Sequence, residues 1–215
     1  LVQEAIAATY GMVEMIDHAI GSILDHLDAT DQRENTIIVF TSDHGDMMGD
    51  HGLMLKGFMH YRGTLQVPLV ISVPGQKPNR TTRLASSIDL GPTLLDLCGV
   101  QGYDGIQGYS LKPVIQVPWA SVRESVLIED DISPVVASLT PIPAKTRTVV
   151  TDTHRYTRNS KREEQLVDLV ADPDERENLV ETDAVARAVV IERLTDALIA
   201  ADDAARGAPV DAGYA

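Results

Sequence analysis

Cysteine occurs once in the 215 residues, at Cys98, which excludes an internal disulfide and a cysteine-built zinc cage. No apolar run approaches the roughly 18 residues that a membrane-spanning helix requires. Basic residues are scarce, 18 against 32 acidic ones for a net charge of −14. A chain this acidic repels phosphate backbones and anionic lipid, so neither nucleic acid nor a membrane surface is an expected partner. The deficit is uneven. Residues 1–60 hold 2 basic and 10 acidic side chains and residues 161–215 hold 6 and 14, whereas residues 61–160 hold 10 and 8. Only that middle part could attract a small anion. No basic-then-apolar signal segment opens the chain, so the cytoplasm is the expected compartment. The start at Leu1 reads as the middle of something longer.

What remains is ordinary for a globular protein. Hydrophobic residues make up 44% and charged residues 23%, which excludes wholesale disorder. At about 150 residues per domain, the length predicts one large domain, or one and a small appendage. No internal repeat is visible.

Along the chain, Ile6, Tyr10, Val13, Ile16, Ile20, Ile23, Leu24 and Leu27 recur at spacings of three and four, predicting one long amphipathic helix. Thr36 to Phe40 is a short, β-branched run, apolar on both faces, and Val67 to Val73 is a second. Such strands belong inside a largely parallel sheet covered by helices. Asp89 to Leu97 predicts a helix, with Asp89 near its cap, Pro92 in its first turn and Gly99 past its end. This alternation predicts an α/β domain over residues 1–115. After about residue 115 the style changes. Val126 to Glu129, Thr146 to Thr151, Arg155 to Thr157 and Gln165 to Leu169 are short candidate strands, with a three-proline loop over 130–145. Strands in succession predict a small antiparallel sheet, closed by a helix from Ala184 to Ala200. Residues 116–215 thus form a small α+β subdomain that ends in a loose tail over 201–215.

The chemistry concentrates in residues 36–61, TIIVFTSDHGDMMGDHGLMLKGFMHY. In parallel α/β sheets, ligands sit beyond the carboxyl ends of the strands, where Asp43 and His44 fall. A carboxylate and an imidazole side by side supply two different ligands to one cation from one turn. Gly45 lets the chain turn sharply away without a Cβ in the site. The dipeptide alone is equally compatible with Asp43 capping the next turn and His44 standing exposed. His51 and His60 read as solvated loop histidines, the methionines of the loop as soft packing, and Cys98 as a small buried hydrophobe.

VFTSDHGDMMGDHGLMLKG followed by VPLVISVPG resembles the sulfatase family of the alkaline phosphatase superfamily. Within it, the likeness is to the branch of phosphonate monoester hydrolases, bacterial arylsulfatases and choline sulfatases. Three further segments resemble the family in register: the helix Tyr10 to Leu27 with Met-Val-Glu-Met-Ile-Asp, the stretch Ser87 to Val100, and Gln165 to Leu179. The resemblance implies an alkaline phosphatase-like α/β fold and hydrolysis of sulfate or phosphonate esters. It further implies one divalent metal ion and a formylglycine hydrate as nucleophile. The matching positions are Asp43 and His44 as metal ligands and Lys56 as the catalytic cation on the ester oxygens. The physics agrees, since an anion under transfer needs positive charge where its own charge spreads. Lys56 is one of only two basic residues in the first sixty. Many relatives carry an acid at the position of Arg62, and that departure leaves its role open.

The family's nucleophile motif, Cys-x-Pro-x-Arg or Ser-x-Pro-x-Arg, is missing. Cys98 is followed by Gly99 and Val100 and cannot be that residue. The family's first metal-binding aspartate pair is missing as well. The sequence therefore reads as the carboxyl-terminal portion of an enzyme, inactive alone, whose partners are a small sulfate or phosphonate ester and the missing amino-terminal half. A homo-oligomer is compatible with this reading. The metal stays open among calcium, manganese and zinc: carboxylates suit the first, while the His44 imidazole leans toward the others. Two other classes compete, a phosphomutase-type isomerase of the same superfamily and a non-catalytic binding fragment.

Overall fold

The structure, a computed structural model, describes residues 1–56 and 58–205. It divides into two compact units, residues 1–78 and 79–215. Among the described residues no helix is long and apolar enough to cross a membrane.

In the first unit, helix α1 (Val2–Ala29) runs slightly beyond the apolar periodicity that predicts it. It stops where Thr30 returns its hydroxyl to the His26 carbonyl at 2.7 Å and Asp31 turns left-handed at φ 54°. Its apolar stripe is only partly covered. Ile6, Ile20, Leu24 and Leu27 are half-buried, while Tyr10, Val13, Ile16 and Ile23 are exposed. Strands β1 (Ile38–Thr41) and β2 (Leu69–Ser72) flank the short helix α2 (Arg62–Leu65). The two strands pair antiparallel, Ile38 opposite Ser72 and Thr41 opposite Leu69. The mostly parallel arrangement expected of them is therefore not what these two strands form. A parallel neighbour needs a crossover that carries the chain back to the starting end of the strand. Among the described residues between Thr41 and Leu69 the helical segments are only α2 and the single turn Asp50–Gly52, so the chain returns in the opposite direction.

The second unit opens with helix α3 (Leu90–Leu97). Its amino end carries a capping box between Ser86 and Asp89, and Gly99 follows at φ 68°, as the Asp89, Pro92 and Gly99 positions predict. Cys98 is exposed, contrary to the reading of a buried hydrophobe. It is the residue after the last turn of α3, beyond the packed face on which Thr93 is buried. Helix α4 (Lys112–Gln116) follows.

Strands β3 (Val126–Asp131), β4 (Lys145–Val150), β5 (His154–Asn159) and β6 (Glu164–Asp168) form the expected antiparallel sheet, in chain order. Between β3 and β4, helix α5 (Pro134–Leu139) replaces the expected loop. Pro134 occupies the first turn, where its fixed φ and missing N–H fit a helix start rather than break one. Helix α6 (Ala184–Ala205) lays Val190 and Leu194 on Val149, Tyr156 and Leu166 of the sheet. It runs five residues into the stretch read as a tail; the rest of that reading, from residue 206, lies outside the described residues.

The division after Pro78 precedes the change of style near residue 115, because residues 79–89 are hydrogen-bonded to residues 109–123. Asn79 donates to the Ile115 carbonyl and Thr81 to the Pro118 carbonyl, both at 2.6 Å. Asp89, fully buried, is gripped bidentately by one edge of the Arg123 guanidinium, Nε to Oδ2 at 3.1 Å and Nη2 to Oδ1. It also accepts the backbone N–H groups of Ser86 and Tyr109 at 2.8 and 2.9 Å. Each buried oxygen is thereby satisfied, which a charge taken out of water requires.

Tyr156, fully buried on β5, leaves its hydroxyl without a hydrogen bond of ordinary geometry. Burial first, and then the nearby Glu164 carboxylate, push the phenol up to about 12. The folded state thus holds this proton more tightly than the unfolded chain. The stability it carries is complete below the ordinary value of 10.0 and is lost as pH rises toward about 12. A Tyr156→Phe variant should lose less stability than the wild type across that window in urea melts. Parallel alkaline curves for the two proteins would refute the assignment.

Candidate active site

Strand β1 ends at Thr41, so Asp43 and His44 follow it by two and three residues, at the strand end where the sequence places them. The turn beyond is built by their own groups. Ser42 Oγ donates to the His44 carbonyl at 2.9 Å, and the His44 N–H donates to Asp43 Oδ1 at 3.0 Å. That N–H holds the Asp43 carboxyl below its ordinary value, so it is an anion at neutral pH.

His44 Nδ1 lies 3.0 Å from the Gly45 carbonyl. A carbonyl only accepts, so Nδ1 carries the proton and Nε2 is left with its lone pair. Nε2 points to two groups: Asp43 Oδ2 at 3.4 Å and Lys56 Nζ, which donates to it at 2.7 Å. The three residues singled out from the sequence therefore meet at one atom. A backbone acceptor on Nδ1 is the usual support of a metal-binding imidazole. Donor atoms about 3.4 Å apart are also what one cation spans at bond lengths of about 2.0–2.4 Å. The donor pair fits a divalent ion chemically. Among the described residues no group of three or more histidine, cysteine, aspartate or glutamate side chains converges, so the pair is a partial site. Asp43 leaves 84% of its side chain exposed, open to further ligands.

The loop geometry has another origin than a free turn at Gly45. A Cβ there would stand 2.1 Å from the Gly63 carbonyl oxygen, and the Gly45 N–H donates to the Thr64 carbonyl at 3.0 Å. The glycine is needed for close approach of two backbones, which ties the Asp43-His44 turn to α2. Thr64 is buried and returns its hydroxyl to the Met59 and Tyr61 carbonyls at 2.7 and 2.9 Å. His60 is buried at 8% exposure, contrary to the solvated reading; it stands between Met59 and Tyr61, whose carbonyls accept the Thr64 hydroxyl. Met47 is buried as packing material. His51 is exposed as expected, but its ring stacks on Tyr61 with centroids 3.9 Å apart and planes 16° apart. Arg62 donates from Nε to Gln66 Oε1 at 2.5 Å. The Gly63–Thr64 junction and the ring stack escaped sequence reasoning; an aromatic and a glycine-threonine pair before an apolar strand carry no spacing signal of their own.

Comparison with known proteins shows likeness over longer stretches of the chain. Residues 3–100 match the family model described as Sulfatase. An arylsulfatase of Clostridium perfringens is 34% identical over 187 residues, covering 84% of this chain and 37% of that protein. A choline-sulfatase of Rhizobium meliloti is 33% identical over 183 residues, covering 84% and 34%. The chain thus spans little more than a third of the curated relatives it matches. Among solved structures, the phosphonate monoester hydrolase of Agrobacterium radiobacter is similar at a TM-score of 0.75 and 29% identity, over 88% of this chain and 40% of that one. A 2-O GAG sulfatase is similar at a TM-score of 0.77 and 27% identity, over 94% and 44%.

Proposed function

Because this chain belongs to the sulfatase family of the alkaline phosphatase superfamily and shares its α/β fold, we propose that it is the metal-binding and anion-gripping part of a sulfate ester hydrolase. Small phosphonate or phosphate monoesters are alternative substrates, as the phosphonate monoester hydrolase relative suggests. The observation that carries the proposal is the convergence of Asp43 Oδ2 and Lys56 Nζ on His44 Nε2, at 3.4 and 2.7 Å. In this reading residues 1–115 belong to the catalytic domain and residues 116–215 to a carboxyl-terminal subdomain. The nucleophile, a formylglycine by resemblance, and the remaining metal ligands come from a segment that the relatives possess beyond the matched third.

Asp43 and His44 would hold one divalent cation, calcium, manganese or zinc. Bound there, it supplies Lewis-acid stabilisation of the ester oxygens. Asp43 contributes a full negative charge, and the Gly45 carbonyl keeps the His44 ring turned with Nε2 outward. Nε2 has one lone pair, so Lys56 and a cation cannot share it. The Lys56 ammonium would then be free to hold an anionic oxygen of the ester, a role suited to a compact point charge on a long stem.

The test is metal content of the full-length protein that carries this chain. Asp43→Asn and His44→Ala should each lower metal occupancy at least about tenfold, no less than loss of a supporting residue costs in affinity. Occupancy equal to wild type in both variants would sink the assignment.

A further inference from the structure

Lys56 sits between two anchored segments. Before it, the turn 48–54 closes on itself, Met48 N–H to the Met54 carbonyl at 3.2 Å and Gly49 N–H to the Leu53 carbonyl at 2.7 Å. After it, Met59 and Tyr61 are held through their carbonyls by the buried Thr64 hydroxyl. Two features of this stretch exceed what closing a loop requires. Met48 and His51 both adopt left-handed backbone angles, φ 48° and 51°, which residues with a Cβ avoid unless their surroundings enforce them. The His51 ring is stacked on Tyr61, and these two rings stand five residues before and five residues after Lys56. Strain of this kind persists where it aims a functional group, and the group at the apex is Lys56, in hydrogen-bond contact with His44.

We propose that the His51–Tyr61 stack is a clasp that positions Lys56, making His51 and Tyr61 positioning residues for the reaction. Two flat rings in contact join the outgoing and returning arms and shorten the stretch that carries the lysine, which otherwise has a long, freely rotating stem to order. The proposal rests on the reading of Lys56 as the group that grips the ester. It assigns no substrate contact to either ring.

The experiment measures kcat/KM with 4-nitrophenyl sulfate in the full-length protein, alongside metal content. His51→Gly removes the ring at a position whose left-handed backbone glycine adopts readily, so folding is not endangered. It should lower kcat/KM about tenfold, with metal content unchanged, and Tyr61→Phe, which keeps the ring, should stay within about twofold of wild type. The double variant His51→Gly with Lys56→Ala should be no slower than Lys56→Ala alone, because the clasp acts only through the lysine. Wild-type activity of His51→Gly, or a double variant about tenfold slower than Lys56→Ala, would overturn the clasp. Unchanged activity of Lys56→Ala itself would instead overturn the reading on which it rests.

Discussion

Lys56→Ala, in the full-length protein that carries this chain, is expected to lower turnover of a sulfate or phosphonate monoester by about a hundredfold or more. The expectation follows from charge. Residues 1–60 offer two basic side chains against ten acidic ones, and Lys56 is the one placed against Nε2 of His44. A developing negative charge there has acidic surroundings, so loss of the ammonium removes a stabilising charge that no adjacent residue in the sequence replaces. Metal content should stay near that of the wild type, since an ammonium has no lone pair to offer a cation and Lys56 is not a ligand. That pairing of results separates Lys56 from Asp43 and His44, whose variants should lose metal and activity together. Unchanged turnover in Lys56→Ala would make it a surface lysine that happens to contact His44, and the anion grip would have to come from elsewhere, with Arg62 or His60 next in line.

The sequence makes Asp43 and His44 legible because their signal is local. An apolar β-branched run ends abruptly in a carboxylate and an imidazole, and strand ends are where such groups gather. The successive strands β3 to β6 are legible for the same reason: turn-forming clusters such as Thr151-Asp152-Thr153 and Asn159-Ser160-Lys161 punctuate β-branched stretches. Lys56 is different. Its role comes from the family resemblance rather than from a local pattern, and its approach to His44 depends on left-handed turns at Met48, Gly49, His51 and Gly52, of which only the glycines are readable beforehand. Pairing direction is equally hidden. The apolar runs of β1 and β2 suit a sheet interior, but whether they run parallel depends on the path between them, and that path is a loop held by Gly45 against Gly63. Asp89 and Arg123 lie 34 residues apart, and no periodicity connects them. Burial of a charge is a property of the fold that closes around it, so a run of acids and bases reads as solvent-facing until the packing is known.

Glu175 is the sharpest case of that last point and leads to the largest expected effect on stability. In sequence it stands within Asp172-Pro-Asp-Glu-Arg-Glu-Asn178, where nothing sets it apart from the neighbouring charges. In the structure its side chain and that of Arg155 are each only 2% exposed, with Arg155 Nε donating to Glu175 Oε1 at 2.5 Å. Arg155, on β5, completes its bonds with Thr157 Oγ1 at 2.9 Å and Gln165 Oε1 at 3.0 Å. The pair stitches the turn after β6 onto the sheet, next to Asn178, whose side chain accepts the Leu166 N–H at 2.9 Å and donates to the Glu164 carbonyl at 3.0 Å. Removal of one partner leaves the other buried without its counter-charge, a loss of about 3–5 kcal/mol. Glu175→Ala is therefore expected to destabilise the second unit by about that amount in urea unfolding followed by far-ultraviolet circular dichroism. Glu175→Gln keeps an acceptor for the guanidinium and should lose less. The backbone does not confound the comparison, since Glu, Gln and Ala bear the left-handed angle of φ 56° at similar cost. A Glu175→Ala protein within about 1 kcal/mol of wild type, the range of an exposed ion pair, would show that the pair is not buried in solution and that another contact holds this turn to the sheet.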